Sequence, residues 1–292
     1  AGELKQGKPL VEFRPLTSAV LPDVFAGHDE ITAITVGASI AGVGTRLGNV
    51  CVWEHGVTNV RKIPMGNACI HALATDSDGF FVAAATGDGR IVVWPLGNGG
   101  EPWVAEHSRL PVLGLALAPN FGAQKDTFAL CAGGDDGRLI LHRRTFLGGQ
   151  TLLHSGEGQI NQVRWRASLI AWGNEKGVKV YNTATSQKVT YVPRPQGGGR
   201  VTGLLWISDD QLAMSWSSAV KLAVILPAEG ANLYAQVRHD LPCPDVIHGL
   251  GLAGPGALST LEVTGRSAFL KLQGPSGGLF HAVEVPFSRG AF

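Results

Sequence analysis

No two of the four cysteines, Cys51, Cys69, Cys131 and Cys243, stand in a C-x-x-C spacing, which excludes a zinc ribbon and argues against the dense disulfide framework of small secreted domains. A reducing, intracellular compartment is the expectation. Charge is scarce as well. Only 16% of residues are charged and the formal net charge is +1, so no global field steers the chain onto nucleic acid or anionic lipid. Long apolar runs are also missing. The longest uncharged stretches, Ile31–Thr45 and Val246–Leu261, are short and broken by glycine, and no charged-then-apolar opening marks a signal peptide. What the chain has is length. Its 292 residues can bury about three quarters of the unfolded surface, so a core needs no metal or disulfide to support it.

Glycine is plentiful, at 40 residues about twice the usual ~7%, and it is dispersed among apolar segments. Four segments share one grammar: GTRLGNVCVW (Gly44–Trp53), TGDGRIVVW (Thr86–Trp94), GDDGRLILH (Gly134–His142) and NEKGVKVY (Asn174–Tyr181). Each is a small or polar run, a turn containing Gly48, Gly89, Gly137 or Gly177, and then an alternating strand. A fifth copy, SSAVKLA (Ser217–Ala223), has Ala219 in place of the glycine, and a weaker sixth, TGRSAFLKL (Thr264–Leu272), restores it as Gly265. Before each hairpin lies a strand of small residues, such as Ala83–Ala85 or Ala171–Gly173, and before that an apolar strand, such as Ile70–Ala74 or Val201–Trp206.

Four strands recurring about every 40–45 residues is the content of a propeller blade. Small residues suit the places where blades converge, and the glycines suit two-residue hairpin turns that need positive φ. The expected fold is therefore all-β, a β-propeller of four-stranded antiparallel blades occupying residues 1–292 as one domain. Six units fit between Gly27 and Leu272. Pro9–Arg14 and Leu279–Val285 alternate like strands and suit a shared closing blade, so seven blades are expected, the last composite or incomplete, with six as the alternative. The ending PFSRGAF carries no capping element, and the natural chain is expected to continue.

Gly27-His28 falls ahead of Trp53 at a spacing similar to that of WD repeats. The run Arg144–Pro195 is more specific. Its R-T-F-L (Arg144–Leu147), G-E-G (Gly156–Gly158), W-R-x-x-L-I-A-W (Trp165–Trp172) and G-V-K-V (Gly177–Val180) elements, with Asn174, resemble the amino-terminal propeller of the vacuolar protein sorting 41 family, subunits of the HOPS tethering complex. The resemblance implies the propeller half of a longer, non-catalytic protein; the alternatives are a generic WD-repeat adaptor in an unrelated complex and a propeller hydrolase. It further implies a cytoplasmic protein peripheral on the late endosome, lysosome or vacuole, working in vesicle tethering with sister subunits and a Rab-type GTPase.

The residues themselves offer little chemistry. Gly42–Gly48 has the wrong spacing for a dinucleotide loop and leads into a strand. Asp76 and Asp78 begin like a calcium loop that the following residues do not complete. His239–His248 (HDLPCPDVIH) is dense in possible ligands but matches no zinc pattern, and its prolines suggest an extended connector. Asp135-Asp136 and Asp209-Asp210 lie where aspartate serves turns. No catalytic residue, metal, cofactor or nucleic-acid partner is expected. The candidates for a protein interface are Arg143, Arg144, Arg164 and Arg166, with Arg164 and Arg166 on one face of a strand, opposite Val163 and Trp165. Trp165, Trp172, Asn174 and Gly177 form the structural signature, with both tryptophans in the blade core.

Overall fold

The computed structural model describes residues 29–285 except 56–58, 98–99, 124–127, 146–148, 229–231, 244–245, 255–256, 265–266 and 274–278, and beyond residue 251 it describes backbone only. Every blade is a meander of four strands. The first contains β1 (Ile31–Val36), β2 (Ile40–Thr45), β3 (Asn49–Glu54) and β4 (Arg61–Pro64), and the second β5 (Ile70–Thr75), β6 (Phe81–Thr86), β7 (Arg90–Pro95) and β8 (Trp103–Glu106). The third contains β9 (Val112–Leu117), β10 (Ala129–Gly134), β11 (Leu139–Arg143) and β12 (Gly149–His154), and the fourth β13 (Gln162–Arg166), β14 (Leu169–Gly173), β15 (Gly177–Asn182) and β16 (Gln187–Pro193). The fifth contains β17 (Val201–Trp206), β18 (Gln211–Trp216), β19 (Ala219–Pro227) and β20 (Leu233–Pro242), and the sixth β21 (Val246–Gly254), β22 (Ala257–Thr264), β23 (Ser267–Gln273) and β24 (Leu279–Val285). The inner strands β1, β5, β9, β13, β17 and β21 touch in succession.

Apolar clusters lie between blades. One joins Ile40, Val50 and Ile63 of the first blade to Ile70, Val82 and Val92 of the second, and another joins Val178 and Val180 of the fourth to Val201, Leu212 and Met214 of the fifth. A sheet buried on both faces gains stability only if its neighbours approach closely, and here a recurrent contact sets that approach. At three of the junctions a branched residue at or just before the inner strand (Ile70, Ile160 or Val201) is fully buried against a glycine in the second strand of the preceding blade, whereas alanine-rich or glycine-free second strands serve before β9 and β21. A Cβ added to Gly133 would sit 2.6 Å from Ile160 Cγ2, and one added to Gly173 would sit 2.8–3.1 Å from the three outer atoms of Val201. At Gly44 it would collide with Ile70. Each glycine leaves the space its neighbour's side chain fills.

Three expectations need correction. In the first two blades the loops between second and third strands are longer than two residues: Arg46–Gly48 and Gly87–Gly89 each hold three, with Gly48 at φ +84° and Gly89 at +86°, while Ser217-Ser218 in the fifth blade holds two. The longer form is the three-residue hairpin that closes on a left-handed glycine. Leu279–Val285 does not join a shared closing blade. It pairs antiparallel with β23 as the outer strand of the sixth blade, because a link of five residues, 274–278, returns the chain to the adjacent free edge more readily than it crosses to another sheet. The segment His239–His248 is largely strand, with His239 and Asp240 in β20 and Val246–His248 in β21. Asp240 pairs with Lys221 at 3.0 Å. The described residues contain six blades; Pro9–Arg14 and Gly27-His28 lie outside them.

A pair of buried histidines makes the third blade sensitive to acid. His107 Nδ1 and His142 Nε2 are 3.1 Å apart, and both rings are at most 4% exposed. Burial lowers the pKa of each, His142 to about 4, and for His107 the nearby Asp136 offsets part of the effect. In the unfolded chain these rings titrate near ~6.5. Below that pH the unfolded state therefore binds protons the folded state refuses, and stability falls as pH drops from about 6.5 toward about 4. Urea unfolding at pH 7 and pH 5 is expected to show a loss of roughly 2 kcal/mol from His142, and His142→Gln, which keeps a polar partner but does not titrate, a shallower loss. Equal slopes would remove His142 from the explanation.

Candidate functional site

Strands of a meander alternate in direction, so one face of the ring carries the hairpins between first and second strands together with the ends of the third strands. On that face the ends of β1, β5, β9, β13 and β17 surround a cavity of about 710 Å3 at the mouth of the axial channel, lined by Arg164, Trp165, Arg166, Trp206, Asp76 and Asp209 among others. Deeper in, Arg164 and Gln162 meet His71 and Leu73 of β5 and Leu113 of β9 around a narrower space of about 120 Å3. Arg164 lines both. It stands where the mouth narrows into the channel.

The four candidate arginines differ in what they do. Arg166 is engaged: its Nε donates to Asp209 Oδ1 at 2.6 Å, tying the fourth blade to the fifth at the rim. That exposed pair contributes at most about 1 kcal/mol. Arg164 donates through Nη1 only to the carbonyl of Val163, at 2.9 Å, and among the described residues it has no carboxylate partner. Solvent in the channel reaches it although protein surrounds it, and that desolvation lowers its pKa below the ordinary arginine value; it remains a cation at neutral pH. Arg143 and Arg144 lie on the same face but outward, at the end of β11, two strands or ~10 Å from the inner strand. Arg143 donates to Thr151 Oγ1 at 3.4 Å, and the Arg144 guanidinium lies 5.5 Å from the centre of the Phe128 ring. The structure thus separates the four into an axial pair and an outer pair.

The signature residues hold the fourth blade in shape. Trp172 is fully buried, with its ring 5.4 Å from that of His154. Trp165 is only half-buried. It sits on the edge of the core and also borders the mouth, with its indole N–H donating to the Ala167 carbonyl at 3.1 Å. Asn174 accepts from the backbone N–H groups of Lys176 and Gly177 at 2.9 and 3.1 Å and donates to Glu157 at 3.0 Å. Glu157 also pairs with Lys179 at 2.5 Å, so the G-E-G loop is clamped onto the hairpin it precedes. A Cβ at Gly177 would collide with the Val192 carbonyl oxygen.

The carboxylates at the mouth are already occupied. Asp76 accepts from the backbone N–H of Phe81 at 2.7 Å and of Asp78 at 3.3 Å, closing its own turn, and Asp209 holds Arg166. Among the described residues no group of three or more His, Cys, Asp or Glu could hold a metal ion. The sequence reading missed Trp206, whose indole N–H points at the Arg164 carbonyl at 3.5 Å, and took Asp209 for a turn residue alone. The available signal was repeat register, since Trp206 ends the inner strand of the fifth blade, with Asp209 just after it, as Arg166 ends that of the fourth.

The family model Beta-prop_Vps41, described as "Vps42 beta-propeller", matches residues 17–246. The chain belongs to the Vps41 β-propeller family. The Arabidopsis thaliana vacuolar protein sorting-associated protein 41 homologue is 33% identical over 203 residues, covering 68% of this chain and 20% of the relative. The Homo sapiens homologue is 26% identical over 241 residues, covering 80% of this chain and 27% of the relative. This Vps41-family chain therefore spans only about a fifth to a quarter of the length of these relatives. Among solved structures, it is similar in fold to the Cps50 (Swd1) β-propeller domain of Myceliophteria thermophila, with a TM-score of 0.73 and 15% identity over 88% of this chain and 87% of that one. It is also similar to U3-55K, with a TM-score of 0.67 and 14% identity over 87% and 82% of the two chains.

Proposed function

We propose that the chain is the propeller part of a longer polypeptide and serves as a non-catalytic scaffold in a HOPS-type membrane-tethering subunit. In this role it recognises sister subunits and a late-endosomal or vacuolar Rab-type GTPase while vesicles are held for fusion. The observation that carries the reading is the Vps41-family match across residues 17–246. The geometry of the ring supports a binding role over a hydrolytic one, because Asp76 and Asp209 at the mouth are engaged by a turn and by Arg166, leaving neither poised for acid–base work. No helix among the described residues is long and apolar enough to cross a membrane. Membrane association in this reading is peripheral and runs through partners, and the arginine face is the surface that meets them.

Affinity capture with the full-length protein from cell extract, read by mass spectrometry, tests this. Tethering-complex subunits and a Rab-type GTPase are the expected prey. A catch without either, from a bait that is folded and expressed at native level, would contradict the reading.

A further inference from the structure

The arginine at the throat of the ring is a cation without an anion. Arg166 beside it is neutralised by Asp209, and the Asp76 oxygens are taken by backbone amides. Arg164 spends one N–H on a neighbouring carbonyl and directs the rest of its guanidinium into space that continues from the mouth to the channel. A guanidinium without a counter-charge where the mouth narrows can form charge-assisted, bidentate hydrogen bonds with a carboxylate that enters the same space. Part of the wall around it is apolar: Trp165, Trp206, Leu205, Pro119 and Val36 border the same cavity, together with polar Thr75 and Ser77. At about 710 Å3 the mouth lies within the ~300–1,000 Å3 of sites that enclose small ligands or peptide side chains.

We propose that the axial mouth is a docking site for an acidic peptide segment, in which one carboxylate pairs with Arg164 while a neighbouring apolar side chain packs on Trp165 and Trp206. The charges choose this occupant. Asp209 is compensated by Arg166, and Asp76, held only by backbone amides, leaves the rim without surplus positive charge for a dianion such as phosphate, whereas a single carboxylate matches the single unpaired guanidinium. The apolar part of the lining would be left uncovered by a free inorganic anion. The inference rests on the binding-platform reading above and names the chemistry recognised. It is separable from the tethering role, because a capture experiment that misses tethering subunits leaves the peptide site standing, and loss of the peptide site leaves family and complex untouched.

The test uses the 15N-labelled chain and its indole N–H signals, with the acetylated, amidated peptide Ala-Leu-Glu-Leu-Ala, its Gln counterpart, and inorganic phosphate as probes. The Glu peptide is expected to shift the Trp165 and Trp206 signals saturably, leaving those of Trp53 and Trp94 in place. The Gln peptide should bind about tenfold more weakly or less, phosphate should not move these signals, and Arg164→Gln should remove the difference between the two peptides. Equal binding of the Glu and Gln peptides by the unaltered chain, which needs no folded variant to interpret, would overturn the proposal. So would phosphate binding as tight as that of the Glu peptide, or an absence of any shift at Trp165 and Trp206.

Discussion

Replacing Trp172 by alanine is expected to reduce the unfolding free energy by about 3–5 kcal/mol, a fall of roughly 5–8 °C in melting temperature for a chain of this size. Trp172 is among the largest fully buried side chains and sits in a cluster with Ile160, Val163 and Ile170 of its own blade and Cys131 and Leu139 of the third. Truncation would therefore open a cavity at a junction of two blades, where backbone ladders on both sides resist collapse. Its indole N–H has no acceptor in the structure. Phenylalanine at this position removes that unsatisfied donor along with part of the ring, so Trp172→Phe should cost less than half as much as Trp172→Ala. Thermal melts of the three proteins followed by circular dichroism decide the matter. If phenylalanine proved as damaging as alanine, the indole nitrogen would have to make an interaction that packing does not explain.

Gly173→Val should be comparably severe, at about 3 kcal/mol or more. The added Cβ would lie within 3.1 Å of Cβ, Cγ1 and Cγ2 of Val201, a branched side chain that is itself 1% exposed and has no rotamer to retreat into. Relief would require the fourth and fifth blades to move apart, exposing the cluster that contains Val178, Val180, Leu204 and Trp216. Gly97→Ala is the control. Nothing lies within 4 Å of a Cβ there, and its change in stability should stay within about 0.5 kcal/mol.

The blade plan could be read in the sequence because each of its determinants is local. Alternation, a glycine before the third strand and small residues in the second strand all act within one repeat, and the structure has strands at Ile70–Thr75, Phe81–Thr86 and Arg90–Pro95 where that grammar puts them. What could not be read depends on distance around the ring. Arg164 and Arg166 share one face of a strand and look equivalent, yet Arg166 meets Asp209 in the next blade while Arg164 meets none, a difference set by how the fourth and fifth blades are placed. His107 and His142 lie 35 residues apart and become partners only because the link before one blade folds over that blade's own third strand. The destination of Leu279–Val285 was open for a similar reason: alternation says strand, and only the free edge of β23 says which sheet.

Three of the blade junctions are seated through a glycine on one side and a branched side chain on the other, and the binding mouth depends on that seating between the fourth and fifth blades. A double-mutant cycle at Gly173 and Val201 addresses that directly. With Gly173→Val present, Val201→Ala should restore space, so that the double variant is more stable than the sum of the single effects by at least ~1 kcal/mol. Additivity within ~0.5 kcal/mol would mean that the two residues do not compete for the same volume, and would contradict this account of how the ring is held together.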